Sequence, residues 1–147
     1  MRYHTAGERE PGQVRQITVA ESLEMIASET TPISVGVHSY LPDGRPLRAA
    51  FTTGFRSGSF KERGGIGKTM MLSEAGFQEA VLYSAGNHLT GVALGSRASG
   101  LLVHGFVPEY APQVKLDLAE QLGEGNVDVR RVKGDLAQAK VEAYQLA

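Results

Sequence analysis

Cysteine is absent from this 147-residue chain. That excludes a disulfide scaffold, a cysteine-ligated zinc or iron–sulfur site, and a thiol nucleophile. An excess of charge of one sign is also missing: 15 basic residues stand against 16 acidic ones, for a formal net charge of −1. A field strong enough to draw the chain to nucleic acid or to a membrane surface is thereby excluded. No apolar run reaches the length of a membrane span. The polar start, Met1 to Glu10, lacks the apolar stretch of a signal peptide. The expectation is a cytoplasmic soluble protein with neither nucleic acid nor membrane as a partner. Internal repeats and low-complexity tracts are lacking as well.

What is present is an ordinary globular composition, 41% hydrophobic and 21% charged, with the length of one domain. Many of the 18 glycines border apolar runs, as tight turns in α/β proteins require. Residues 1–17 read as an irregular leader. Thr18 and Glu21 form a capping box that opens a helix to about Ser28, and Thr31-Pro32 stops it. Residues 33–38 and 47–53 read as strands joined by the turn Pro42-Asp43-Gly44-Arg45. Helices and short apolar strands then alternate. Helices are predicted from about Phe60 to Ala75, His88 to Ser99, Pro112 to Leu122 and Leu136 to Leu146. Strands are predicted at Ala80–Tyr83, Leu101–Val107 and Val127–Val132. Pro112 suits a first helical turn, Asp135 an N-cap, and Gly76, Gly100 and Gly123 helix ends. Such alternation implies an α/β fold: three layers, a mostly parallel sheet of βαβ units with helices on both faces, preceded by an N-terminal helix and hairpin.

Two segments carry chemistry. In Ser57-Gly58-Ser59-Phe60-Lys61-Glu62-Arg63-Gly64, Ser59 and Glu62 have capping-box spacing, which puts Lys61 in the first turn of a helix. A helix N-terminus favours anions, so a lysine there departs from the rule, and an amine so placed is a candidate for Schiff-base chemistry. Gly64, Gly65 and Gly67 follow inside the helix at a cost of about 1 kcal/mol each against alanine, which implies close approach of a sheet or a ligand. The bland alternative is an exposed lysine on a helix that packs through glycines. Gly67-Lys68-Thr69 resembles the end of a P-loop, but Glu62 stands where that loop needs glycine.

The second segment, Ser84-Ala85-Gly86-Asn87-His88, follows a strand and opens a helix, the crevice position where open α/β sheets bind ligands. Free amides at the helix start can hold a carboxylate or phosphate, Gly86 admits a ligand to the backbone, and Asn87 offers both donor and acceptor. A plain strand-to-helix turn with Ser84 or Asn87 as a cap is the alternative. His88 has no converging ligand set in His4, His38 and His104, so no metal site is expected.

Together the two segments resemble the signature segments of fold type II pyridoxal-phosphate enzymes, near the threonine/serine dehydratases. Thr31-Pro32-Ile33, and Val107-Pro108 followed by Ala111-Pro112 and Lys115, extend the resemblance over most of residues 30–145. It implies pyridoxal 5′-phosphate as cofactor, with Lys61 forming the imine to it. Asn87 would bond its 3′ oxygen, while Ser59 and Phe60 shape its pocket. Ser84, Ala85, Gly86, Asn87 and His88 would form the substrate-binding loop, its amides holding the substrate carboxylate. Relatives that racemise serine carry an acid/base serine at the position of Ala85, so the implied reaction is β-elimination of a hydroxyamino acid to a 2-keto acid and ammonia. Leu89 and Thr90 replace the family's usual alanine and glutamine, and Ala50-Phe51-Thr52 its Lys-x-Glu strand end. The family's glycine-rich phosphate loop lies beyond the position of Ala147. The resemblance therefore implies residues 1–57 as a large-domain-like segment and 58–147 as the small domain. The catalytic unit would be incomplete and act as a homo-oligomer or with a complementing large-domain chain. The alternative is a non-catalytic small-molecule-binding or assembly domain that keeps the fold and needs a partner chain.

Overall fold

Apolar runs bounded by helix-start and helix-stop residues set the order of the chain. The computed structural model describes residues 2–5, 20, 24, 34–51 and 54–147. Its elements are β1 (Arg2–Thr5), β2 (Ser34–Tyr40), β3 (Pro46–Phe51), α1 (Lys61–Glu74), β4 (Phe77–Tyr83), α2 (Asn87–Ser99), β5 (Leu102–Pro108), α3 (Gln113–Gly123), β6 (Val127–Val132) and α4 (Leu136–Leu146). The helix expected over 18–28 lies outside the described residues except for Ala20 and Glu24, which are helical. The Thr31-Pro32 stop and residues 52–53 also lie outside them.

Four strands form one sheet in the order β1-β4-β5-β6, with β4, β5 and β6 parallel. β1 pairs antiparallel with β4, Tyr3 opposite Ala80. This corrects the reading of residues 1–17 as irregular throughout: Arg-Tyr-His-Thr is too short and too polar to show alternation, and its strand geometry comes from the β4 edge it pairs with. β2 and β3 form the expected hairpin as a separate two-stranded sheet. Its turn closes through Gly44 N–H to Leu41 O at 2.9 Å, with Gly44 at φ +81°.

Alternation along the parallel strands sends side chains to two helical layers. Ala80, Leu82, Val103 and Val107 pack with Leu89, Val92 and Ala93 of α2 and with Leu116 and Ala119 of α3. Val81, Phe106 and Val132 pack with Ala139 and Ala143 of α4 on the other face. The three-layer α/β architecture is therefore as the sequence implies. Beyond the reach of α4, that second face carries a polar row. His104 bridges Glu79 and Asp128, each at 3.1 Å, and Arg130 Nε donates to Asp128 at 2.7 Å. The bond to His104, helped by Arg130, holds the Asp128 carboxyl below the usual carboxylate range.

α1 joins this body by packing on α2, and the contact runs through glycine. A Cβ on Gly65 would lie 2.3 Å from the Gly91 carbonyl carbon, one on Gly91 2.7 Å from the Lys61 carbonyl oxygen, and one on Gly95 2.0 Å from Thr69 Oγ1. At Gly65 the close approach implied by the helical glycines is thus to a second helix, whereas Gly64 faces open space. Gly105 has a related duty in β5, where a Cβ would lie 2.6 Å from Leu89 Cδ1. The helix ends mostly follow the sequence. Asp135 accepts from the N–H groups of Ala137 and Gln138 at 2.9 and 3.0 Å, and Gly76 and Gly100 take positive φ. Two assignments change. Pro112 is the N-cap of α3, and the left-handed position after it belongs to Glu124 at φ +45°, while Gly123 is buried against Val127. Glu124 and Gly125 (φ +90°) both take positive φ at the reversal, and the packing need for a glycine falls at Gly123.

These contacts separate two neighbouring glycines of α1. A Cβ on Gly64 meets nothing within 4 Å. Gly64→Ala should therefore raise stability by up to about 1 kcal/mol through helix propensity. Gly65→Ala should lower it by about 1–3 kcal/mol through the clash with α2. Urea unfolding of the two variants beside the parent chain checks the opposite signs.

Candidate active site

The N-termini of the helices meet at one place. Lys61 begins α1, Asn87 begins α2, Pro112 caps α3, Leu136 begins α4, and all four line one cleft of about 510 Å³. Parallel strands place it, since each βα connection leaves the sheet at the carboxyl edge. Each helix start also brings partial positive charge and first-turn amides with no carbonyl partner in their own helix. Tyr83, at the end of β4, forms part of the wall and packs edge-on against Tyr144 of α4, centroids 6.3 Å apart.

The loop before α1 is built around Glu62, which is 0% exposed. Its Oε2 accepts from the Ser57 N–H at 2.8 Å, and Oε1 has no partner. This corrects the capping box: Glu62 reaches past Ser59 to Ser57, and no side chain caps α1 at Phe60. Ser59 Oγ instead accepts from the Lys61 N–H at 3.3 Å. The spacing of Ser59 and Glu62 fits both arrangements, and the buried loop decides between them. Ser59 itself is buried and Phe60 is 68% exposed; neither lines the cleft, whereas Lys61 opens onto it.

Across the cleft, the Ser84–His88 turn is held by its own polar atoms. Ser84 N–H donates to Phe106 O at 3.0 Å, and Ser84 Oγ accepts from the Gly86 N–H at 3.1 Å. Gly86 sits at φ +144°, a conformation that glycine alone adopts readily, and no side chain caps α2. Thr90 N–H bonds Gly86 O at 3.1 Å and Thr90 Oγ1 donates to Asn87 O at 3.0 Å, tying the turn to the first turn of α2. All five residues of the turn line the cleft with Lys61, so the structure brings together two segments that are separate in sequence. Lys115, quoted above only as part of a strand–helix resemblance, lies there too; nothing in local spacing marks it, because the contact comes from the packing of α3 beside the turn. Among the described residues no carboxylate lines the cleft, and no group of three or more His, Asp or Glu side chains is arranged to hold a metal.

His88 is half-buried, and that burial together with the Lys61 charge lowers its pKa below the ordinary 6.5. A depressed histidine pKa adds stability that is full above the unfolded value and is lost as pH falls through the folded one. The His88 ring, followed by NMR, should titrate with a midpoint below 6.5. Lys61→Met should move that midpoint up, and His88→Gln should weaken the loss of stability on acidification below about 6.5.

The residues fit pyridoxal phosphate. A lysine amine for a carbonyl carbon and an asparagine amide share a cleft that has positive helix ends and, among the described residues, no carboxylate, and a Cβ on Gly86 would press on the Lys115 stem that lines it. Comparison with known proteins agrees. L-threonine ammonia-lyase of Thermotoga maritima is 40% identical over 78 residues, 49% of this chain and 20% of that protein. The mitochondrial threonine dehydratase of Schizosaccharomyces pombe is 30% identical over 129 residues, 85% of this chain and 21% of that one. The chain thus spans about a fifth of the length of these curated relatives. Among solved structures, a pyridoxal 5′-phosphate-dependent aspartate racemase superposes with a TM-score of 0.71 at 26% identity, over 87% of this chain and 40% of its own. The processed threonine deaminase isoform 2 of Solanum lycopersicum shares the fold, with a TM-score of 0.66 at 23% identity over 99% of this chain and 42% of its own. The profile of the pyridoxal-phosphate dependent enzymes matches residues 52–147, the stretch that builds the whole cleft, and this chain belongs to that family.

Proposed function

We propose that this chain is the lysine-bearing part of a dehydratase-type lyase that converts a small hydroxyamino acid such as serine or threonine to a 2-keto acid and ammonia. The observation that carries the reading is the meeting of Lys61 and the Ser84–His88 turn across one cleft. In this reading residues 58–147 are the small domain and residues 1–57 belong with the large-domain part, apart from β1, which pairs with β4. The protein acts in the cytoplasm, as a homo-oligomer or with a chain that supplies a large domain.

When bound, pyridoxal phosphate supplies the carbonyl carbon for covalent attachment and the electron sink that stabilises charge at the substrate α-carbon. The residues do the rest. Lys61 would hold the cofactor covalently, and its amine, when free, would be the base that takes the α-proton. Asn87 would hold the cofactor's 3′ oxygen through its side-chain amide. The backbone amides of Ser84, Gly86 and His88 hold the substrate carboxylate at the start of α2. Ser59 steadies Lys61 through its bond to the Lys61 N–H, while Phe60 stays outside the cleft lining. Ala85 places no proton donor at its own position, which favours loss of the β-hydroxyl over return of a proton to the opposite face. His88, held toward its neutral form, leaves the carboxylate to the amides.

The test is to mix the chain with pyridoxal phosphate, reduce with borohydride and map the modified lysine by mass spectrometry. Labelling should concentrate at Lys61, exceed that at Lys68 and Lys115 by at least about tenfold, and vanish in Lys61→Ala, a preference set by placement in the cleft. Scattered labelling would overturn the catalytic reading and favour a binding or assembly domain that keeps the fold alone.

A further inference from the structure

The cleft has an unbalanced charge. Lys61 and Lys115 both open onto it, with the positive ends of α1, α2 and α3, and among the described residues neither lysine has an ion-pair partner. Lys115 lies in the first turn of α3, where the macrodipole disfavours a cation. An ammonium group in such a field is accommodated best when an anion meets it.

Lys115 is also held in place. A Cβ on Gly86 would lie 3.3 Å from both Cβ and Cγ of Lys115, so the lysine stem packs over the glycine of the Ser84–His88 turn. The loop that leads into α3 is clamped from β6. Arg131 donates to the carbonyls of Glu109 and Ala111, the latter at 3.1 Å, and to Gln113 Oε1 at 2.7 Å. The backbone and the base of the side chain are therefore fixed before a ligand arrives, and only the outer methylenes remain to be ordered.

We propose that Lys115 is a substrate-binding residue: with the amides of Gly86 to His88 it holds the carboxylate of the incoming amino acid. Covalent attachment of the cofactor occupies Lys61, and Lys115 is then the remaining lysine beside the turn. The assignment rests on the reading of the cleft as an amino-acid site, and it adds a charged side chain to a subsite otherwise made of backbone.

The probe is 3-hydroxypropionate, which has the carboxylate and hydroxyl of serine and no amine with which to form an imine. Titrated into the 147-residue chain and followed by NMR, it should shift the amides of Gly86, Asn87 and His88 and the Lys115 side-chain methylenes along one saturation curve. Lys115→Met keeps the stem and should weaken binding at least about tenfold, Lys115→Arg should restore most of it, and added salt should weaken it in the parent chain. Saturation at the turn with no movement of the Lys115 methylenes would overturn the proposal in the parent chain, whatever the variants do. So would undiminished affinity in folded Lys115→Met. Inorganic phosphate, titrated in parallel, should depend on Lys115 less than the carboxylate does. Dependence of phosphate alone would overturn the carboxylate assignment and point to the cofactor's phosphate. Specific cofactor labelling of Lys61 is read separately, so failure at Lys115 with labelling intact leaves the dehydratase reading standing, and the converse result removes that reading alone.

Discussion

The backbone contact between α1 and α2 is the constraint on which the site depends. Gly65 and Gly91 face one another with no room for a methyl group on either, and the Lys61 carbonyl lies against Gly91. Residues three and four apart lie on one helix face, so Lys61 and Gly65, like Asn87 and Gly91, are coupled within their own helices. Bringing the glycines together therefore brings Lys61 and Asn87 to the same end of the helix pair. The three glycines of α1 weaken it as an isolated helix, and the packing that Gly65 permits sets the distance between the two chemical segments. A side chain at either position would separate the helices and widen the cleft.

The rest of the fold serves to fix α2. Leu89 seats over Gly105 of β5, and Ala80, Leu82 and Val103 fill the layer beside it. Thr90 ties the first turn of α2 back to the Ser84–His88 turn. Arg131 does the same for the start of α3. The cleft edge is held by hydrogen bonds from rigid elements, while the opposite edge of the sheet carries the His104, Glu79 and Asp128 row. At the cleft itself the two lysines and the helix starts favour an anionic ligand.

Much of this was legible in the sequence, because it is written in local periods and end signals. The alternation from α1 to α4, the hairpin turn and the Asp135 cap all follow from neighbours within four residues. So does the exposure of Lys61 at a helix start. What escaped depends on residues distant in the chain. β1 takes its geometry from the edge of β4, Glu62 takes its partner from a buried loop, and Gly65 of α1 takes its partner from α2. Lys115 joins the cleft through α3 packing beside the turn, which no spacing within residues 57–88 could show. The resemblance of the two signature segments supplied what spacing could not, since it carried an expectation of which segments would meet.

The most direct measurement compares borohydride-trapped pyridoxal phosphate at Lys61 in Gly91→Ala and in Gly64→Ala, at a temperature where circular dichroism shows both chains folded. If the helix contact sets the site, Gly64→Ala labels as the parent does and Gly91→Ala loses most of its selectivity for Lys61. Equal, Lys61-selective labelling in both variants would contradict the account, because the site would then be independent of the contact proposed to build it.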